Sequence, residues 1–166
     1  MKYLILLMIP YLLLGTEQRV LLSAATVHEH TYDRFGKKYN AFNYGLGYEY
    51  NYFEEYNALY FATNVLLLND SFENPQLSIG LGHYYRFDTG VIDTAVGLTG
   101  FFGIKKIYTD EDTSRDGGNF GLTGGFGPTV NFYYEDISVN FVYVPGFKYK
   151  ELDTTGFLYM YFGYKF

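Results

Sequence analysis

Three residues in this chain have the types that acyl transfer uses: His28, Asp70 and Ser71. A histidine can take the proton of a serine hydroxyl, and a carboxylate can orient the imidazole or compensate its charge. Asp70 and Ser71 are adjacent, in Leu68-Asn69-Asp70-Ser71-Phe72, where an apolar run ends. His28 follows Thr26-Val27 near the end of another apolar run. Residue types alone favour a plainer reading, because Asp-Ser at a strand end is common turn chemistry. There is no cysteine, so neither a disulfide framework nor a thiolate metal site is available. Asp110, Glu111, Asp112 and Asp116 show no regular ligand spacing and read as a solvated loop. Gly117-Gly118 and Gly124-Gly125 are not phosphate loops, since no helix follows them. No cofactor and no metal is expected.

To act together, His28 and Ser71 need elements that bring them to one place. From Val20 onward the pattern is apolar alternation broken by polar turns. Eight segments read as strands of membrane-spanning length, at about 19–32, 40–53, 57–69, 77–88, 91–104, 120–133, 136–145 and 155–166. In the fourth, Leu77, Ile79, Leu81, His83, Tyr85 and Phe87 oppose Ser78, Gly80, Gly82, Tyr84 and Arg86. In the last, Leu158, Met160, Phe162, Tyr164 and Phe166 share one face. A terminal aromatic after such alternation resembles the signal read by the barrel-assembly machinery. Connections alternate between short (Asn51–Tyr56, Asp88–Gly90, Tyr134–Asp136) and long (Asp33–Tyr39, Asp70–Gln76, Lys105–Asn119, Gly146–Asp153). Short inner turns and long outer loops are the asymmetry of outer-membrane barrels. The sequence therefore predicts an all-β fold, an eight-stranded antiparallel transmembrane β-barrel with an apolar interior. His28 and Ser71 then share its outer rim, where Lys37, Lys38, Lys105, Lys106 and Arg115 also fall.

Residues 1–18 are expected to be a cleaved signal peptide and residues 19–166 the barrel. Lys2 precedes an apolar run from Tyr3 to Leu14, the length of a secretory signal and short for a spanning helix. Twenty Tyr, 16 Phe and 19 Gly suit pleated strands and aromatic girdles. The net charge of −6 speaks against nucleic acid as a partner. A soluble lipocalin-like barrel would have polar residues outside, whereas several strands here are apolar on both faces.

Three segments resemble the lipid A palmitoyltransferase family, the PagP-type outer-membrane barrels. They are Ala24-Ala25-Thr26-Val27-His28 with Tyr32-Asp33, Tyr39-Asn40 and Gly45-Leu46-Gly47; Leu59-Tyr60 through Asp70-Ser71-Phe72 with Gly80-Leu81-Gly82; and Tyr143-Val144-Pro145-Gly146 before a last strand ending Lys165-Phe166. The resemblance implies catalysis by His28, Asp70 and Ser71. It implies acyl-length selection at Gly82, which strand parity also puts on the small-residue face. The implied reaction moves a palmitoyl chain from a phospholipid donor to lipid A at the outer-leaflet rim; the chain is expected to be a monomer. The chain departs from the family in having no Trp, and in Ser23, Asn43 and Asp136 where gate prolines would stand; Pro128 and Pro145 match others. The alternative expectation is a non-catalytic small outer-membrane barrel of adhesin or membrane-stabilising type.

Overall fold

The computed structural model describes residues 17–53, 58–108, 111–149 and 152–166. Residues 1–16 of the expected signal peptide, residues 54–56 of the expected first inner turn, Asn57 of the expected third strand, and residues 109–110 and 150–151 of the expected outer loops lie outside them. The strands are β1 (Glu17–His28), β2 (Phe42–Phe53), β3 (Leu59–Asn69), β4 (Pro75–Phe87), β5 (Asp93–Ile107), β6 (Asn119–Tyr134), β7 (Ile137–Val144), β8 (Phe147–Tyr149), β9 (Leu152–Thr154) and β10 (Phe157–Lys165). Eight of them close an antiparallel barrel in the order β1-β10-β7-β6-β5-β4-β3-β2, while β8 and β9 form a small hairpin in the fourth outer loop. The eight expected strands correspond to these eight, with boundaries moved by a few residues.

Period-two alternation sets what each wall shows. Leu122 is 79% exposed and Phe126 71%, and large apolar side chains point outward around the whole barrel. A continuous belt of that kind is unstable in water and matches the hydrocarbon band of a membrane. Aromatic rings cluster toward its inner edge, with Tyr48 against Phe166 at 6.0 Å and Tyr85 against Phe87 at 4.7 Å. His83 lies on this outer face, stacked on Phe61 at 4.2 Å.

The expected apolar interior is found only in the outer half. There Leu21, Leu66, Val142, Val144 and Tyr161 are buried together, with Leu68, Phe101, Phe157 and Tyr159 packed against them. The inner half is a polar plug. Arg19 is 1% exposed and bonds the Glu17 carboxylate, with Nε at 2.8 Å. Arg86 pairs with Asp93 at 2.8 Å. The two guanidinium groups lie 4.9 and 4.8 Å from the centroid of Tyr133, whose hydroxyl meets that of Tyr60 at 2.6 Å. Eight strands enclose a lumen just wide enough for side chains to fill, and buried charges persist there because they are paired.

Two irregularities shape the outer half. The register of β1 against both neighbours shifts between Ser23 and Ala25. Below the shift Arg19, Leu21 and Ser23 face inward; above it the inward residues are Thr26 and His28. Uninterrupted alternation would have put Val27 inside and His28 in lipid. The second irregularity is at the β6–β7 seam. β6 pairs with β5 up to Ile107↔Asn119, but its ladder with β7 stops at Thr129↔Val142. Pro128 sits one residue above that point and Pro145 directly after β7, so neither supplies a ladder N–H there. Ser23 and Asn43 instead hold β1 to β2, through a bond from the Ser23 hydroxyl to the Asn43 carbonyl.

Truncation of Arg19 leaves Glu17 buried without its main partner, so Arg19→Ala should cost about 3–5 kcal/mol of barrel stability. A lower urea midpoint for loss of the heat-modifiable band would show this; an unchanged midpoint would mean the plug adds nothing.

Candidate functional site

The β1 shift brings His28 to Ser71, the second residue of outer loop 2. Nε2 of His28 lies 2.7 Å from Ser71 Oγ. The imidazole stacks on Tyr39 of outer loop 1 at 4.0 Å and lies 5.7 Å from Phe157. Asn43 donates from Nδ2 to the Asn69 carbonyl at 3.0 Å and to Ser71 Oγ at 3.4 Å. Two of the three sequence-predicted catalytic residues are thus in contact.

Asp70 is not joined to them. Its Oδ1 accepts the backbone N–H groups of Phe72 and Asn74, both at 2.9 Å. Its backbone bonds close the same turn, to Asn74 at 2.8 Å and from Glu73 at 2.9 Å, with Glu73 at φ 69°. Outer loop 1 repeats the arrangement residue for residue. Asp33 Oδ1 accepts from Phe35 and Lys37 at 2.9 and 2.8 Å, and Gly36 occupies the positive-φ position at 72°. Asp-X-Phe-X-X in both loops is one self-contained turn built on the Asp side chain. Asp70 Oδ2 and His28 Nδ1 are both buried without a hydrogen-bond partner, so no carboxylate orients the imidazole.

The loops interlock above the dyad. Arg115 of outer loop 3 bonds Asp33 Oδ2 through Nε at 2.7 Å and the Lys38 carbonyl at 2.8 Å, and its guanidinium lies 5.3 Å from the Phe72 ring centroid. Tyr108 packs on Phe35 and Phe72 at 5.2 and 5.1 Å and accepts a bond from Asn74 at 2.9 Å. Below this cap is a cavity of about 110 Å³. Leu66, Leu68, Phe101, Val142, Val144 and Phe157 form its apolar wall; His28, Asn43, Asp70, Ser71 and Lys105 form its polar end. Lys105, expected at the outer rim, shares the inward face of β5 with Thr99 and Phe101. Gly82 faces inward as parity predicts but does not line the cavity. A side chain there would collide with the Tyr84 phenol, which bonds Thr99 at 2.7 Å; Gly80 is the β4 glycine at the cavity wall.

An apolar cavity of roughly 150 Å³ holds one benzene. A cavity of about 110 Å³ has room for a ligand of that size or less, far below a sixteen-carbon chain.

A closed eight-stranded barrel with a lipid-facing belt and interlocked outer loops is a small barrel of the bacterial outer membrane. No family model matches the chain, and no curated protein does. Among solved structures it is similar to Neisserial surface protein A, at 17% identity and TM-score 0.49 over 90% of this chain and 96% of that one. It is also similar to the Yersinia pestis outer-membrane protein Ail in a phospholipid nanodisc, at 13% identity and TM-score 0.44 over 90% and 99% of the two chains. A structure of Ail with the heparin analogue sucrose octasulfate gives 13% identity and TM-score 0.37 over 90% and 98%. They are named as a surface protein and as an attachment invasion locus protein. The expectation of a lipid A acyltransferase is corrected. Asp70, committed to its own loop, and the small cavity are the physical counterpart of that correction.

Sequence reasoning did not identify Asn43 or Lys105 as cavity residues, or Arg115 as the clamp between loops. The parity of β5 was a usable signal for Lys105; nothing local marks Arg115.

Two outcomes follow from the loop chemistry. Asp70→Ala strands two loop N–H groups and should cost about 1–3 kcal/mol, seen as protease nicking after Asn69 in an otherwise folded barrel; Asp70→Asn, which keeps Oδ1, should resist. Burial of the Asp33 carboxyl raises its pKa, but bonds from Arg115 and from the Lys37 and Phe35 amides, with the Arg115 charge, hold it below the ordinary value. Such a carboxylate stabilises above its unfolded pKa of about 4 and loses that contribution as pH falls through its lower folded pKa. The Arg115 Nε–H resonance should therefore be constant at neutral pH and shift only below about pH 4; no shift down to the acid limit would separate Asp33 from the clamp.

Proposed function

We propose that this chain is a non-catalytic small barrel of the bacterial outer membrane, of membrane-stabilising type, which holds a rigid cap of outer loops over a closed lumen. The observation that carries this is the site itself: His28 and Ser71 touch, but the carboxylate that would complete them serves a turn. The polar plug supports it, since Arg19, Glu17 and Tyr133 are buried together in the inner half among the described residues. In this reading outer-leaflet phospholipid and lipid A are neighbours of the belt rather than substrates. The barrel-assembly machinery inserts the chain by its aromatic-ended last strand. The adhesive variant draws on one observation, the exposed Tyr32, Arg34, Lys37 and Lys38 of outer loop 1.

Lipid A from cells expressing the chain should show no added acyl mass by mass spectrometry, with the barrel folded and heat-modifiable. Loss of the chain should raise permeability to hydrophobic dyes while leaving binding to host-surface glycans unchanged. Acyl mass that appears with the wild type and disappears with Ser71→Ala would overturn the proposal. Lost glycan binding without a permeability change would favour the adhesive variant.

A further inference from the structure

The outer half of β6 has one side without a partner. Against β5 its ladder runs unbroken up to Ile107↔Asn119, whereas against β7 it ends at Thr129↔Val142. The end of β7 still abuts Gly127, where an added Cβ would collide with the Tyr143 carbonyl oxygen. Above that point β7 gives way to Pro145 and Gly146, and β8 and β9 pair only with each other. Among the described residues, no strand therefore covers residues 119–126 on this side. The β5–β6 ribbon also stands above its other neighbour, since β4 stops pairing with β5 at Leu77↔Ile104. Every second residue of the open edge turns its N–H and C=O into the gap. Natural edges are normally blunted by lysine, proline, bulges or brevity. Residues 119–126 have the length of an ordinary strand, contain neither a charge nor a proline, and pair with β5 without a register shift. Phe120, Leu122 and Phe126 are 62%, 79% and 71% exposed along the edge, while Gly121, Thr123 and Gly125 leave the opposite face without bulk.

We propose that this edge receives an extended segment of another protein as an added strand. The segment lies antiparallel to β6, in the line that β7 vacates, and completes the ladder that stops at Thr129. Its outward side chains are aromatic or β-branched and pack beside Phe120, Leu122 and Phe126; larger ones fill the face left open by the glycines. Backbone groups alternating at strand spacing select a polypeptide, because a lipid chain has no donors or acceptors to match them. A second copy of the chain fits poorly. Barrels in one membrane are related by a two-fold along its normal, which sets two β6 edges parallel and turns the apolar face of one toward the small-residue face of the other. This partner is additional to the non-catalytic reading and does not depend on His28 or Ser71.

The test is amide hydrogen exchange, by NMR, of the full barrel in phospholipid nanodiscs. The probe is a synthetic peptide with the sequence of residues 95–107, which already forms a strand against β6 on its other side. The control is the same peptide N-methylated along both edges, which keeps the side chains and removes the donors. The probe should slow exchange at alternate amides between Gly121 and Phe126 at least tenfold, and the control should leave them unchanged. Replacing Phe120 and Leu122 together by Lys should weaken the effect at least tenfold while the heat-modifiable band is retained. No slowing, or slowing that the methylated peptide reproduces, would overturn the proposal. So would alternate-amide slowing that appears without peptide and grows with barrel concentration, which would identify a second copy as the occupant.

Discussion

Closure of the sheet by β1 against β10 is the constraint on which the rest of the molecule depends. In hydrocarbon an unpaired backbone N–H or C=O has no water to turn to, so the chain must pair each strand on both sides or not span at all. Nine residue pairs join β1 to β10. Once the ring is closed, alternation leaves no choice about the two faces. One face is given to lipid, and the other is confined to a lumen that eight strands make only as wide as the side chains filling it. Arg19, Glu17, Tyr60 and Tyr133 are stable at its inner end because they satisfy one another in a space that excludes water.

The same closure explains where the wall is imperfect. Register can shift only where a residue is accommodated without orphaning its neighbours, and β1 does this between Ser23 and Ala25, with the Ser23 hydroxyl bonding across to Asn43. The β6–β7 seam is left open above Thr129 by two prolines that cannot donate. The outer mouth is then sealed by loops, each made rigid by its own Asp-centred turn before Arg115 and Tyr108 join them. Rigidity there is local in origin and only secondarily a matter of docking.

Much of this was legible in the chain. Leu77 to Phe87 and Leu158 to Phe166 alternate so strictly that their outward faces could be read residue by residue, and the structure places them so. Asp70 was legible in a weaker sense. Its adjacency to Ser71 suggests a catalytic pair, and only the recurrence of Asp-X-Phe at Asp33 and Asp70 hints that both are turn residues. The polar plug was harder to read, because the Glu17–Arg19 pair of β1 and the Arg86–Asp93 pair of β4 and β5 are far from each other in sequence and meet only across the lumen, where Arg86 comes within 3.9 Å of Glu17.

By itself the sequence determined an eight-stranded membrane barrel with long outer loops, because period-two alternation and turn residues are local properties that survive without knowledge of neighbours. Tertiary structure decided what the apparent catalytic residues are. A one-residue shift in β1 turned His28 inward to Ser71, an Asx turn withdrew Asp70 from both, and the Tyr84 phenol occupied the space beside Gly82. Each of those outcomes depends on register and on contacts between distant strands, which spacing along the chain does not encode.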